Sequence, residues 1–206
     1  MGRSVKSFER KAKRYVVGAK VLVICEDLKS CKTYLDDAKF HFKVDAIIKV
    51  AHIGCTDPLN IVEHALEKSK DFDAIYCVID RDTHETFDAA CKLLSGKKTN
   101  VELVVSYPCF EFWLYLHFHY SRKSYQQAGS DSPGAVMLAD LQKIPEMKAY
   151  AKGQAKGIFE TLFPRLGIAR SNAFKVMLDA TEVNELNPST RMHELLDAFE
   201  ALAEVE

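Results

Sequence analysis

The order in which apolar runs and helical spacings alternate leaves this chain few folds. "KVLVICE" (20–26) is a short β-branched run, and "DLKSCKTYLDDAKFHF" after it sets Leu28, Tyr34, Leu35, Ala38 and Phe42 roughly at helical spacing. "KVDAIIKV" reads as a second strand. Asp57 and Pro58 then open "LNIVEHALEKSK" as an N-cap and a first-turn proline, ahead of apolar residues 61, 62, 65 and 66. "DAIYCVID" is a third strand, "THETFDAACKLLSG" a helix closed by Gly96, and "VELVVS" a fourth strand. Strands that are apolar on both faces, each separated from the next by one helix, predict an α/β fold with a central, mainly parallel four-stranded sheet covered on both sides.

Past Ser106 the character changes. "YPCFEFWLYLHFHY" is aromatic and reads as helical, "SRKSYQQAGSDSPG" is a polar loop, and the remainder reads as helices broken at Pro145, Gly153, Gly157, Pro164 and Pro188. The expected organisation is a basic N-terminal arm (1–19), an α/β core (20–106) and a helical region (107–206) packing on that core. A chain of 206 residues with 48% hydrophobic content can build a sizeable interior, and no apolar run approaches the ~20 residues that cross a bilayer. The basic start lacks the apolar stretch and small-residue cleavage site of a secretory signal. Six cysteines without a C-x-x-C pair fit packed, reduced thiols, so a cytoplasmic location is expected.

Net charge is −1, which advertises no nucleic-acid partner overall, yet residues 1–20 carry seven basic side chains, Arg14 among them, against Glu9 alone. Such an arm either tracks phosphates or forms a solvated helix face. "SGKKT" (95–99) is not a phosphate loop, because the position where the earlier glycine belongs is Cys91. His117 and His119 would face different sides of a helix, which suits packing better than a shared zinc. The aromatics from Phe110 to Phe118 read as core.

The charged residues that matter end the apolar strands. In open α/β sheets ligands collect at the carboxyl edge, and Asp80 and Asp82 occupy that edge after the third strand. If the strand runs on through Arg81, both carboxylates point one way and Arg81 the other. Crowded carboxylates repel unless a cation lies between them, and Mg²⁺ suits carboxylate oxygen. Glu26 ends the first strand in the same manner. A second reading needs no metal: Asp82 with Glu85 three residues on has the form of a helix N-cap and its reaching glutamate.

The segments "VICEDLKSCKTYL", "GCTDPLNIVEHA", "VIDRDTHETFDAA", "SYPCFEFWLYLHF" and "NPSTRMHELLDA" resemble, in order and spacing, the RloB family over about residues 20–200. That family comprises small prokaryotic proteins linked to restriction-modification loci and abortive phage infection. The resemblance implies a Toprim-like three-layer core with a helical extension. It implies that Glu26 matches the Toprim glutamate, Asp80 and Asp82 the D-x-D motif, Glu111 a second-metal glutamate, and Lys152 the lysine of a Y-x-K-G element. Two positions depart from the pattern: Asp27 stands where glycine is usual, and Cys31 where an acid is common.

The activity so implied is Mg²⁺- or Mn²⁺-dependent cleavage of DNA or RNA in anti-phage defence. Asp80 and Asp82 would be metal ligands, Glu26 a ligand or general base, Glu111 a possible second-metal ligand and Lys152 an electrostatic stabiliser. Arg81, His84, Lys29 and Arg14 would meet phosphate, although His84 equally suits a first-turn surface position. Family members are often encoded beside an AAA-type ATPase, an expected partner; self-association is compatible with the sequence, and no membrane is expected. The alternative is a non-catalytic binding or regulatory subunit of an ATPase-containing complex. A phosphatase or receiver domain fits poorly, since His84 stands where the phosphatase pattern needs threonine and the D-x-D falls on the third strand.

Overall fold

Side-chain alternation decides the architecture. The computed structural model describes residues 18–45, 47–81 and 84–204. Strand β1 (Val21–Cys25) sends Val21, Val23 and Cys25 to one side of the sheet and Leu22 and Ile24 to the other. Strand β3 (Ala74–Asp80) likewise opposes Tyr76 and Val78 to Ile75, Cys77 and Ile79. Each strand is apolar on both faces because helices cover both.

With β2 (Ile48–Ala51) and β4 (Val101–Tyr107), these strands pair in parallel. The four-strand expectation needs correction: Ser189–Thr190 form β5, antiparallel to β4, and the sheet order is β2-β1-β3-β4-β5. Two residues after a proline carry no periodicity. Tertiary bonds create this strand instead, from the Arg191 N–H to the Val105 carbonyl at 3.0 Å and from the Arg191 guanidinium to the Leu103 carbonyl at 2.8 Å.

On one face lie α2 (Pro58–Glu67) and α3 (Phe87–Leu94). Asp57 caps α2 as its sequence demands, accepting from the Asn60 N–H at 3.0 Å, an arrangement worth about 1 kcal/mol. Helix α3 begins at Phe87 with Thr86 in the cap position. Asp82, for which an N-cap role is the alternative, lies outside the described residues, as does the basic arm through residue 17 with Arg14.

The other face carries α1 (Cys31–His41) and the later helices: α4 (Glu111–Tyr115), α5 (Pro133–Leu141), α6 (Ile158–Leu162), α7 (Leu166–Glu182) and α8 (Met192–Ala203). Residues before and after Ser106 share one apolar core there. The aromatic segment is helical over five residues only and then continues as turns, with the Phe118 N–H on the Tyr115 carbonyl at 3.0 Å. Phe110, Phe112 and Trp113 are buried. His117 is buried with Nδ1 3.0 Å from the Trp113 carbonyl, and burial pushes its pKa down to about 4, whereas His119 is exposed. All six cysteines are free, four of them buried. Among the described residues no helix is long and apolar enough to cross a membrane.

One hydrogen bond ties the two halves of this layer: Trp113 Nε1 donates to the Tyr34 hydroxyl at 2.9 Å, both side chains fully buried. Tyr34→Phe removes the acceptor and leaves an indole N–H unpaired, so unfolding in urea should show a loss of about 1–3 kcal/mol. A change below about 0.5 kcal/mol would mean that this bond does not hold α1 to α4.

Candidate active site

From β1 the chain crosses to β2 on one flank of the sheet, then returns to β3 on the other, so the carboxyl ends of β1 and β3 bracket a topological switch point. A cavity of about 390 Å³ opens there. Glu26, directly after β1, lies on its wall and joins the two strand ends. Its backbone N–H bonds the Val78 carbonyl at 3.0 Å, Oε2 accepts from the Asp80 N–H at 2.9 Å, and Oε1 meets His84 Nε2 at 2.7 Å. Burial raises the Glu26 pKa, opposed by the Asp80 N–H and by His84.

Asp80 ends β3 in the same cavity. Its residue is half-buried, yet its carboxyl is hemmed in, and its pKa stands well above the ordinary range. Burial is the first cause and the negative charges of Glu111 and Glu26 follow, while Lys152 pulls the other way.

Glu111 opens α4 and is almost completely buried. Both oxygens have protein partners: the Tyr150 hydroxyl donates to Oε1 at 3.1 Å, and Lys152 Nζ sits 3.5 Å from Oε2. Lys152 is 49% exposed at the side chain and reaches the cavity. Burial favours its neutral form, but Glu111 and Asp80 outweigh that and raise its pKa, so it stays an ammonium. Ser106, two residues too far away for an S-x-x-E pattern, serves the fold, with its hydroxyl 2.8 Å from that of Thr190.

The departures at Asp27 and Cys31 have local reasons. Asp27 Oδ1 accepts from the Lys29 N–H at 3.1 Å, and Oδ2 from the N–H groups of Ser30 and Cys31, which satisfies the turn leading into α1 and the first orphan donor of the helix. Its φ is not among the positive values of the chain, so no glycine is required there. Cys31 is buried beside Cys25, and burial raises its pKa well above the thiol range. Freed from its own cap, the Ser30 hydroxyl accepts from the Gly153 N–H at 3.0 Å and docks the Lys152 loop on α1. Gly153 has φ +90°, and a Cβ there would come within 3.1 Å of the Lys29 side chain, so backbone freedom and close approach both call for glycine.

The structure thus brings Glu26, Asp80, Glu111, Lys152, His84 and Lys29 to one cavity. Arg81 is not among them: its guanidinium lies 4.4 Å over the Phe87 ring and 3.3 Å from Asp88, held by α3. The alternation that turns Asp80 inward turns Arg81 away, toward α3. His52 and Thr56 join the cavity unannounced. His52 Nδ1 lies 3.0 Å from the Cys25 carbonyl; that oxygen only accepts, so Nδ1 carries the proton and Nε2 is the nitrogen that can take one up. The signal was available, since His52 follows β2 as Glu26 follows β1.

Among the described residues no group of three or more His, Cys, Asp or Glu side chains is arranged to hold a metal ion. The donor chemistry nonetheless suits a hard divalent cation. Glu26 and Asp80 offer carboxylate oxygens with lone pairs to spare, and burial raises both pKa values, so a cation there would favour their charged forms.

The fold and this rim define an α/β protein with an acidic crevice at the switch point of a mostly parallel sheet. A family model described as RloB-like protein matches residues 21–199, and the chain belongs to that family. Comparison with curated proteins gave no match, and comparison with solved structures gave none.

Uncompensated charge at Asp80 makes a thermodynamic prediction. A carboxyl whose folded pKa is raised binds its proton more tightly in the native state, so ionisation costs stability once pH exceeds the unfolded value of about 3.8, and the cost grows until pH passes the folded value. Asp80→Asn should raise Tm at pH 7 by about 2–6 °C. The gain should vanish below the ordinary aspartate range, where both states are protonated. Scanning calorimetry across that range checks it; an unchanged or lower Tm at pH 7 would contradict the crowding.

Proposed function

We propose that this protein is a Mg²⁺- or Mn²⁺-dependent nuclease with a Toprim-like core, an effector of prokaryotic anti-phage defence. The observation that carries the reading is the Asp80 carboxyl, enclosed with Glu26 and Glu111 at the switch point and faced by one ammonium, Lys152. Family membership adds to it. A cytoplasmic location and an AAA-type ATPase partner belong to the same proposal.

Glu26 and Asp80 would hold the metal, with Glu111 close by. Mg²⁺ or Mn²⁺, when bound, supplies charge neutralisation and an activated water. The chain's own groups do the rest. Lys152, kept protonated and fixed by Glu111, presents positive charge to a phosphoryl oxygen, and Tyr150 keeps Glu111 oriented for that task. Lys29, whose side chain lies beside Gly153, gives a second cation. Glu26 is placed to take a proton, and His84 bonded to its Oε1 can pass that proton outward.

Plasmid DNA or transfer RNA incubated with purified protein should be cut in Mg²⁺ or Mn²⁺ and left whole in chelator. Asp80→Ala and Glu26→Gln should each slow cutting by about 10²–10⁴-fold. Cutting retained in both variants would assign the activity elsewhere.

A second reading is supported by one observation: the oxygens of Glu26 and Glu111 already have protein partners, as a regulatory or binding subunit would need. Thermal shift separates the two. In the nuclease reading a saturating divalent ion stabilises the native chain, by about 2.7 kcal/mol at a hundredfold excess over Kd, and leaves Asp80→Asn unmoved. In the subunit reading it moves neither.

A further inference from the structure

A second cavity lies beside the acidic one, and its chemistry is opposite. β2 is an edge strand whose Ile48 and Val50 are buried in the α1-side core, so Lys49 and Ala51 face the α2 side. Register sets Lys49 beside Leu22 and Ala51 beside Ile24. Helix α2 leans on β3 and α3, and between it and β2 runs a groove of about 340 Å³. Its floor is apolar, with Ala51, Ile53 and Phe72 partly exposed over buried Leu22 and Ile24. His64 and Lys68, one turn apart on α2 and at its C-cap, stand across from Lys49. The titratable groups lining it are Lys49, His52, His64 and Lys68, none of them acidic. His52 lines both cavities, so the groove begins where the acidic crevice ends.

We propose that this groove seats single-stranded polynucleotide flanking the phosphate that is cut, an unstacked base on the apolar floor and backbone phosphates on Lys49 and Lys68. Cations over an apolar floor match a nucleotide, and the groove's place makes its occupant continuous with whatever enters the crevice. A duplex does not fit: its bases are stacked and paired, and cannot enter a cleft flanked by a helix and a strand. The inference deepens the nuclease reading and rests on it for what is cut, not for what is bound.

The test uses the full chain carrying Asp80→Asn, in chelator, with a fluorescein-labelled oligothymidine of about twelve nucleotides, read by fluorescence anisotropy over a salt series. Adding Lys49→Ala and Lys68→Ala should weaken binding about tenfold. It should also flatten the slope of log K against log salt by about 1.4, two phosphates at ~0.7 each. Both lysines are exposed, so Tm should not move; Lys97→Ala with Lys98→Ala, outside both cavities, should leave affinity unchanged. Equal binding by the Lys49/Lys68 variant overturns the proposal. So does a duplex that competes as well as the single strand, or thymidine monophosphate that competes as well as the oligomer, which would mark a free-nucleotide site. No cleavage is read here. A chain that binds but never cuts refutes the nuclease reading alone, and one that cuts regardless of these lysines refutes the groove alone.

Discussion

One carboxylate joins the ends of the two central strands. Glu26 leaves β1, takes the backbone N–H of Asp80 from β3 and receives His84 from the loop beyond. Without parallel pairing of β1 with β3 in the observed register, with Cys25 beside Val78, the side chain would not reach. The acids at the rim are therefore a consequence of sheet register, and register is held by the specific packing of both apolar faces against their helices.

Stability alone does not explain that rim. Asp80 carries a raised pKa because it is buried and, beyond that, because Glu111 and Glu26 crowd it, and a stable fold has no use for such a carboxyl. Several buried groups elsewhere are paired: Trp113 with Tyr34, Asn187 with the Tyr125 backbone, Arg191 with Glu194 and the Leu103 carbonyl. Local conflict within an otherwise consistent structure is the usual mark of a site kept for function.

Much of this was legible in the residues. Four strands, the Asp57 cap and the inward turn of Asp80 against Arg81 all follow from periodicity and cap chemistry, because those signals are local. Strand β5 was not legible, since its two residues become a strand only through Arg191 and Thr190 meeting β4. Asp27 looked like a lost glycine, and its three backbone bonds to the turn ahead of α1 are visible only in three dimensions. The aromatic run promised a long helix, but its side chains fill the core from turns once Tyr115 is passed. His52 carries only a positional signal, its place after β2 matching that of Glu26 after β1.

The loop that carries Lys152 is seated on α1 by two backbone donors, Gly153 on Ser30 and Gly157 on Asp37. During synthesis the strand-end acids leave the ribosome well before this lysine does. A nascent chain that has completed the sheet through β4 thus lacks the lysine whose charge lowers the Asp80 pKa.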